Sequence, residues 1–476
     1  MATTQLNKLF HLLHIECEDT RIIQGISDDT RWLKKDWIYV CWNVTNLQQT
    51  QFIKEALRIG AVVLCEKKVE MPNVYTVKSI EAISQVLIEL YYGNLCEHLT
   101  VIGITGTNGK TSVAAYLEQV MNLCGKRMMR IGTKEVRYLD QKQTIANTTP
   151  ERFLLAHLFH LAQSLSLDGI VMEVSSHAID ANRICFIQFD IIIYTNITQD
   201  HLDYHITKTH YRFTKFKLRR YLKENGIIIY NKDLKEMREL PMLYQGPCLT
   251  IGCKDAHLLI HDIALSDHDS SFSIEQQMFH VSLLGMINVY NMTSVIAAAR
   301  RLSIPLEQLK TVCEKVKGVA GRMEVIEGFG YHIWIDFAHT PDALFQLLEF
   351  AKQVATGRVI TIVGCGGDRD QKKRAIMGDI VAYYSDIAIF TADNPRGEAV
   401  HHILSDMITF PKPHVEIFEN RYFAIKHAVK YAQNSDIIII AGKGSETSQI
   451  VNGHSYPFSD RDIVYKRLCE EENHWK

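Results

Sequence analysis

No apolar run in this sequence approaches the roughly 20 residues that a membrane span requires. The longest, such as Ile191-Ile192-Ile193-Tyr194 and Ile437 to Ala441, are far shorter. The segment Met1 to Ile15 lacks a basic stretch followed by a sustained apolar one, so no signal peptide is expected. Proline is scarce, 10 residues in 476, and glycine stops at 26, which excludes collagen-like and low-complexity chains. The 11 cysteines form no CxxC pair and no Cys/His ladder of zinc spacing. Free thiols in a reducing cytoplasm are the expectation. Neither sign of charge dominates: 52 Lys+Arg stand against 54 Asp+Glu, a net charge of −2. That balance gives no pull toward nucleic acid or an anionic membrane, so neither is expected as a partner.

What is present is apolar mass in short pieces. Hydrophobic residues make up 47% of the chain, enough for more than one core, and the length suggests about three domains. β-Branched runs recur at Val62–Cys65, Val101–Thr105, Ile170–Val174, Asp190–Tyr194, Ile227–Tyr230, Val359–Val363, Ile387–Thr391 and Ile437–Ala441. Near-continuous runs of about five residues read as strands buried on both faces. Between them, Tyr116–Cys124, Thr293–Leu302 and Ala343–Val354 read as crossover helices. The expected fold class is therefore α/β with parallel sheets. Residues 1–98 hold no phosphate motif, 99–322 hold phosphate- and metal-type residues, and a strand at His332–Phe337 opens the segment 323–476.

After the run Val101–Thr105 comes Gly106-Thr107-Asn108-Gly109-Lys110-Thr111, then a helical stretch from Ser112. Strand, glycine turn, Lys-Thr and helix form a cradle for nucleotide phosphates. Glycines let backbone N–H groups approach phosphate, and the helix N-terminus adds positive potential. Lys110 would meet the β and γ phosphates and Thr111 would ligate Mg²⁺. Ile104 stands where a strict P-loop has its first glycine, so this is a variant loop. Two further loops follow strands: Glu173-Val174-Ser175-Ser176-His177 and Thr195 to His205. Ligands of open α/β sheets gather at such carboxyl ends. Glu173 and His201 could complete a metal sphere begun by Thr111 and phosphates.

These motifs resemble the Mur ligase family, and within it the enzymes that add the third residue of the peptidoglycan stem. The resemblance extends through Asp200-His201-Leu202-Asp203-Tyr204-His205, Asn288-Val289-Tyr290-Asn291, Gly321-Arg322-Met323-Glu324 and Asp336-Phe337-Ala338-His339. It continues in Gly364-Cys365-Gly366-Gly367-Asp368-Arg369-Asp370, Asp393-Asn394-Pro395-Arg396 and Gly442-Lys443-Gly444-Ser445-Glu446. The motifs stand in family order over roughly residues 100–450.

The resemblance implies an N-terminal domain for a UDP-linked substrate (1–98), a central P-loop-type ATPase domain with a parallel sheet (99–322) and a Rossmann-like C-terminal amino-acid domain (323–476). It implies an ATP-dependent amide ligase that makes an acyl phosphate, with Mg²⁺ as cofactor and ATP as co-substrate. The other substrates would be UDP-N-acetylmuramoyl-L-alanyl-D-glutamate and meso-2,6-diaminopimelate, handled by a cytoplasmic monomer in peptidoglycan precursor synthesis.

By the same resemblance, Gly106, Thr107, Asn108, Gly109, Lys110, Thr111 and Ser112 take ATP phosphates, and Asn291, Arg322, Asp336 and His339 serve the rest of the nucleotide. Glu173 and His201 join Thr111 at metal, with Lys215 carbamylated beside them; Lys110, Lys215 and His201 carry catalysis. Thr30, Asn147, Thr148, Thr149, Ser175 and Arg183 would hold the acceptor. Arg369, Asp393, Asn394, Pro395, Arg396, Gly442 and Glu446 would hold the incoming amino acid. Arginines suit the distal carboxylate of diaminopimelate, because a site built for that group leaves donors unpaired with lysine.

The N-terminal part departs from the family pattern. Asp-Ser-Arg becomes Asp29-Thr30-Arg31, the uridine loop reads Asn43-Val44-Thr45-Asn46-Leu47-Gln48 without its glycines, and Ala181 replaces a glutamine. Phe337 replaces a tyrosine and Ser445 a histidine. Two acceptors therefore stay open: the UDP-linked muramoyl dipeptide, or a different carboxylate in a paralogous ligase.

Overall fold

The computed structural model describes residues 4–42, 46–198, 200, 202–328, 330–409 and 412–472. Contacts divide the chain into two compact units. One comprises 1–104, 125–192 and 217–227; the other comprises 105–124, 193–216 and 228–476.

The first unit contains a four-stranded parallel sheet in sequence order, Gly25–Ser27, Trp37–Cys41, Val62–Cys65 and Val74–Thr76. The helix Asn46–Ile59 packs on it through Ile53 and Ala56, which are buried with Tyr39, Val63 and Cys65. The next helix, Ile80–Tyr92, starts where the Ser79 hydroxyl accepts from the Ala82 amide (3.2 Å) and stops at left-handed Gly93. Five further strands run in the order Gln141–Thr144, Glu135–Tyr138, Met128–Gly132, Gly169–Glu173, Thr100–Thr105. The last three are parallel and mostly apolar and buried, and the first two fold back as an antiparallel edge.

In the second unit the helix Lys110–Leu123 packs against the longer helix Gly285–Arg301. Strands Leu258–Leu265, Ser270–Ile274 and Gln277–Val281 form an antiparallel meander. A six-stranded sheet follows, in the order Glu324–Gly328, Tyr331–Asp336, Ile437–Ala441, Val359–Val363, Ile387–Thr391, Val415–Phe418. All pairs but the first are parallel. Its central strand shows why the apolar runs are continuous. Ile437, Ile439 and Ala441 enter one core with Leu344, Met377 and Leu404, while Ile438 and Ile440 enter another with Ile425 and Val429. Side chains alternate between faces, and helices cover both. Burying each such isoleucine contributes on the order of 2 kcal/mol.

The α/β expectation is met. Val62–Cys65, Val359–Val363, Ile387–Thr391 and Ile437–Ala441 are strands with the expected limits. Helices start earlier than expected, at Lys110, Gly285 and Pro341, because their first turns are set by a glycine turn or a cap rather than by apolar periodicity. No helix of the described residues is long and apolar enough to cross a membrane.

Candidate active site

The loop after Thr100–Thr105 is held by the segment that follows the strand Phe189–Tyr194. The Thr195 amide donates to the Thr105 carbonyl (2.9 Å), the Thr107 amide to the Asn196 carbonyl (2.8 Å) and the Asn108 amide to Asn196 Oδ1 (2.9 Å). Thr195 Oγ1 donates to the Asn108 carbonyl (2.6 Å), and Thr107 Oγ1 lies 3.2 Å from Tyr211 Oη. Two glycines are obligatory here. Gly109 caps the helix Lys110–Leu123 at φ +83°, and a Cβ there would lie 2.8 Å from Asn291 Oδ1. Gly106, at φ +154°, leaves no room for a Cβ beside Thr195 Oγ1. The sequence reading placed Thr195 and Asn196 in the loop after a strand without giving either a role, and it gave none to Tyr211.

Two lysines converge on this loop. Lys110 Nζ donates to the Gly106 and Thr107 carbonyls (2.7 Å each), and Lys215 Nζ donates to the Gly106 carbonyl (2.8 Å). Lys215 is 1% exposed, with its ammonium 4.7 Å from the centroid of the Tyr211 ring. Burial first, and then the like charge of Lys110, push its pKa well below the usual lysine range, against a smaller opposite pull from Asp200. The shift favours the uncharged amine relative to an ordinary exposed lysine. His201 lies outside the described residues.

Asn291, Arg322, Asp336 and His339 stand in the same unit. Asn291 Nδ2 donates to Asn288 Oδ1 (3.2 Å), which also accepts from Tyr116 Oη (3.2 Å). Asp336 is spent on backbone: its oxygens accept from the Met323 and Ala338 amides (2.7 Å each). Burial raises its pKa, offset by Arg322. The Arg322 guanidinium lies 4.3 Å from the Phe337 ring centroid, so the ring that replaces a tyrosine still carries a cation. His339 Nδ1 is 2.8 Å from the Phe337 carbonyl, and burial lowers its pKa.

At the carboxyl ends of the six-stranded sheet lie the residues expected to read the amino acid. Asn394 Nδ2 donates to Glu446 Oε2 (2.9 Å), and Lys443 Nζ binds both Glu446 Oε2 (2.9 Å) and Asn394 Oδ1 (3.2 Å). Arg396 NH1 donates to the Gly367 carbonyl (2.8 Å). Gly442, at φ +107°, passes beside Asp393, where a Cβ would sit 2.8 Å from Oδ2. Burial raises the Asp393 pKa, against Arg421 and Lys443. Arg369 occupies the loop after Val359–Val363, Pro395 the turn before Arg396. Lys443 stands inside the Gly442–Glu446 motif but was given no role from the sequence, while Gln449, whose Nε2 donates to the Asp393 carbonyl (2.6 Å), and Arg421, on the helix Arg421–Tyr431, were missed and are brought in by the fold.

In the first unit, Glu173 is buried, and its carboxylate accepts from the Thr133 amide (2.8 Å) and Thr133 Oγ1 (3.2 Å). Thr133 Oγ1 lies 3.2 Å from Thr148 Oγ1. Thr149 Oγ1 donates to the Glu173 carbonyl (3.0 Å) and accepts from the Ser175 amide (3.0 Å). Arg183 NH1 donates to the Thr149 carbonyl (3.0 Å) and NH2 pairs with Glu151 (2.9 Å), while its Nε is buried without a hydrogen-bond partner. Asn147 Nδ2 donates to Glu151 Oε1 (3.2 Å). Thr148, Thr149, Ser175 and Arg183 thus form one polar cluster. Thr30 lies apart in a short helical turn, Thr30–Trp32, capped by Asp29.

Among the described residues no group of three or more His, Cys, Asp or Glu could hold a metal alone. A divalent cation at Thr111 or Glu173 would draw ligands from nucleotide phosphates as well, which suits Mg²⁺.

Strand, glycine turn and lysine-bearing helix define a phosphate-loop α/β protein. Residues 104–299 match the Mur ligase middle domain and residues 321–444 the Mur ligase, glutamate ligase domain. The chain belongs to the Mur ligase family. It is 34% identical over 467 residues, 95% of each chain, to the UDP-N-acetylmuramoyl-L-alanyl-D-glutamate--2,6-diaminopimelate ligase of Bacillus cereus. The enzyme of that name from Caldanaerobacter subterraneus is 35% identical, over 94% of this chain and 95% of that one. A solved structure of such a ligase matches with a TM-score of 0.68 at 28% identity, covering 99% of both chains. The MurF ligase of Thermotoga maritima in complex with ADP shares the fold, with a TM-score of 0.68 at 17% identity over 94% of this chain and 96% of that one.

Proposed function

We propose that this chain is an ATP-dependent, ADP-forming ligase that joins meso-2,6-diaminopimelate to UDP-N-acetylmuramoyl-L-alanyl-D-glutamate, in the cytoplasm, for peptidoglycan synthesis. The carrying observation is the pair of loops bearing Arg369 and Arg396, set beside Asp393 and Glu446 at one sheet edge. They stand in a chain 34% identical, over 95% of its length, to a ligase named for that amino acid.

In this reading residues 1–98 take the UDP end, 99–322 ATP and 323–476 the amino acid. The acceptor carboxylate attacks the γ-phosphorus of ATP, ADP departs, and an acyl phosphate forms. The amine of diaminopimelate adds to the acyl carbon, the tetrahedral adduct expels phosphate, and an amide remains. Both steps bring anions together, so positioning and cationic stabilisation carry the rate. Lys110, now folded onto its own loop carbonyls, swings to the β and γ phosphates. Gly106 to Ser112 cradle them, and Asn291, Arg322, Asp336 and His339 frame the nucleoside. Arg183 turns its spare Nε to the acceptor, beside Asn147, Thr148, Thr149 and Ser175. Thr111, Glu173, His201 and a carbamylated Lys215 would be the residues to hold Mg²⁺, which when bound would supply positive charge against the phosphates. The Lys215 amine, whose uncharged form burial favours, would add to CO₂ and shed a proton, giving a carbamate.

The test is ADP release with the UDP-dipeptide, comparing diaminopimelate, lysine and ornithine. Release with diaminopimelate alone supports the assignment; equal release with lysine contradicts it. A second reading, a paralogue with another carboxylate acceptor, is favoured by Ala181, whose backbone carbonyl alone contacts Arg152 (3.2 Å) where the family has a glutamine side chain. Turnover with free dipeptides but not the UDP-dipeptide would select it.

A further inference from the structure

The two arginine loops contain strained backbone. Asp368, just before Arg369, has φ +53°, and Arg396 itself has φ +52°. Neither is glycine, so each costs on the order of 1 kcal/mol and persists only where surroundings impose it. The surroundings are specific. Glu398 Oε1 accepts from the Asp368 amide (2.5 Å), and the Asp368 carboxylate accepts from the Gly397 amide (3.0 Å). The Gly367 amide donates to the Asn394 carbonyl (3.0 Å). Glu398 is anchored from below by Arg374, which is 1% exposed and binds both carboxylate oxygens (2.9 Å each). Arg374 also donates to Asp406 Oδ2 (2.8 Å) and to the Gly366 carbonyl (3.3 Å).

We infer that Glu398 is a positioning residue that sets both amino-acid-reading arginines, Arg369 and Arg396, by clamping their loops to buried Arg374. The inference rests on the amino-acid assignment proposed above. A bidentate pair suits this task because it fixes direction as well as distance. One carboxylate governs two loops: directly through the Asp368 amide, and through the Asp368 side chain at the residue after Arg396. A pair with one buried and one partly exposed member adds little net stability, so its value lies in geometry.

The test uses the full chain and two variants, Glu398→Ala and Glu398→Gln. Amide hydrogen exchange reads the clamp without any assumption about substrate. In Glu398→Ala, protection at Asp368 and Gly397 should fall, with the rest of the C-terminal sheet unchanged. Steady-state kinetics then read the consequence. The Michaelis constant for diaminopimelate should rise roughly ten- to hundredfold, that for ATP should stay within about twofold, and Glu398→Gln should recover part of the loss. A folded Glu398→Ala variant with unchanged exchange overturns the clamp. Lost protection with an unchanged Michaelis constant for diaminopimelate overturns the positioning role. An inactive wild-type chain with diaminopimelate, alongside lost protection, would instead overturn the proposed substrate.

Discussion

The phosphate loop and the N-terminal Asp28–Arg31 turn are both short polar segments after a strand, yet they are built differently. In the loop, Thr195 and Asn196 satisfy backbone groups, two glycines remove Cβ atoms, and two lysines share the Gly106 carbonyl. Each residue is over-determined by neighbours. In the turn, Arg31 is 75% exposed and pairs with Asp29 (2.5 Å), while Trp42 Nε1 donates to Asp28 (3.1 Å). Local charge shapes its exposed end. The difference teaches where geometry is constrained: a glycine loop framed by long-range hydrogen bonds tolerates little drift, while a turn held by neighbouring residues can exchange contacts.

The sharpest way to break this comparison is at Lys110. Lys110→Ala should lower turnover by roughly a hundred- to thousandfold, measured as ADP release; near-normal turnover would end the reading of the loop. Lys215→Ala should fall nearly as far, and added formate or acetate should partly restore it, since a small carboxylate would stand in for the proposed carbamate. Next is Arg396→Ala. Losing a charge-assisted contact of about 1.5–3 kcal/mol should raise the Michaelis constant for diaminopimelate roughly tenfold or more and leave that for ATP unchanged.

The N-terminal turn should respond in stability rather than turnover. Burial raises the Asp28 pKa from 3.8 to about 6, with Trp42 opposing. The folded state therefore binds a proton more readily than the unfolded chain. Its contribution is full below about pH 3.8 and is lost as pH rises through about 6. Asp28→Asn should flatten that decline and stabilise the protein at pH 7.5 by up to about 3 kcal/mol, read by denaturant titration. A lower stability at pH 7.5 would show that the charged form is favoured. The smallest effect is expected at Phe337→Leu: losing the ring under Arg322 removes about 0.5–1 kcal/mol, a two- to fivefold rise in the Michaelis constant for ATP.

Much of the fold was legible because parallel strands buried on both faces appear as unbroken apolar runs. The edge strands Glu135–Tyr138 and Gln141–Thr144 were not, since they carry polar residues on a half-solvated hairpin. The meander from Leu258 to Val281 was missed for a related reason: its alternation is broken by a bulge between His261 and Ala264. In the site, the glycine loop and Asp393 to Arg396 could be read from residue order, because phosphate cradles and turns are local. The contacts of Thr195, Tyr211 and Arg374 could not, since their partners Asn108, Thr107 and Glu398 lie 87, 104 and 24 residues away in sequence.

Residue order alone thus determined the class of fold, the phosphate loop and the family, all of which depend on spacing along the chain. Tertiary structure alone decided that Lys215 is buried against Gly106 with its pKa pushed down, that Asp336 serves backbone amides, and that Glu398 ties two loops to Arg374. Burial and long-range hydrogen bonding set those properties, and neither is a function of local sequence.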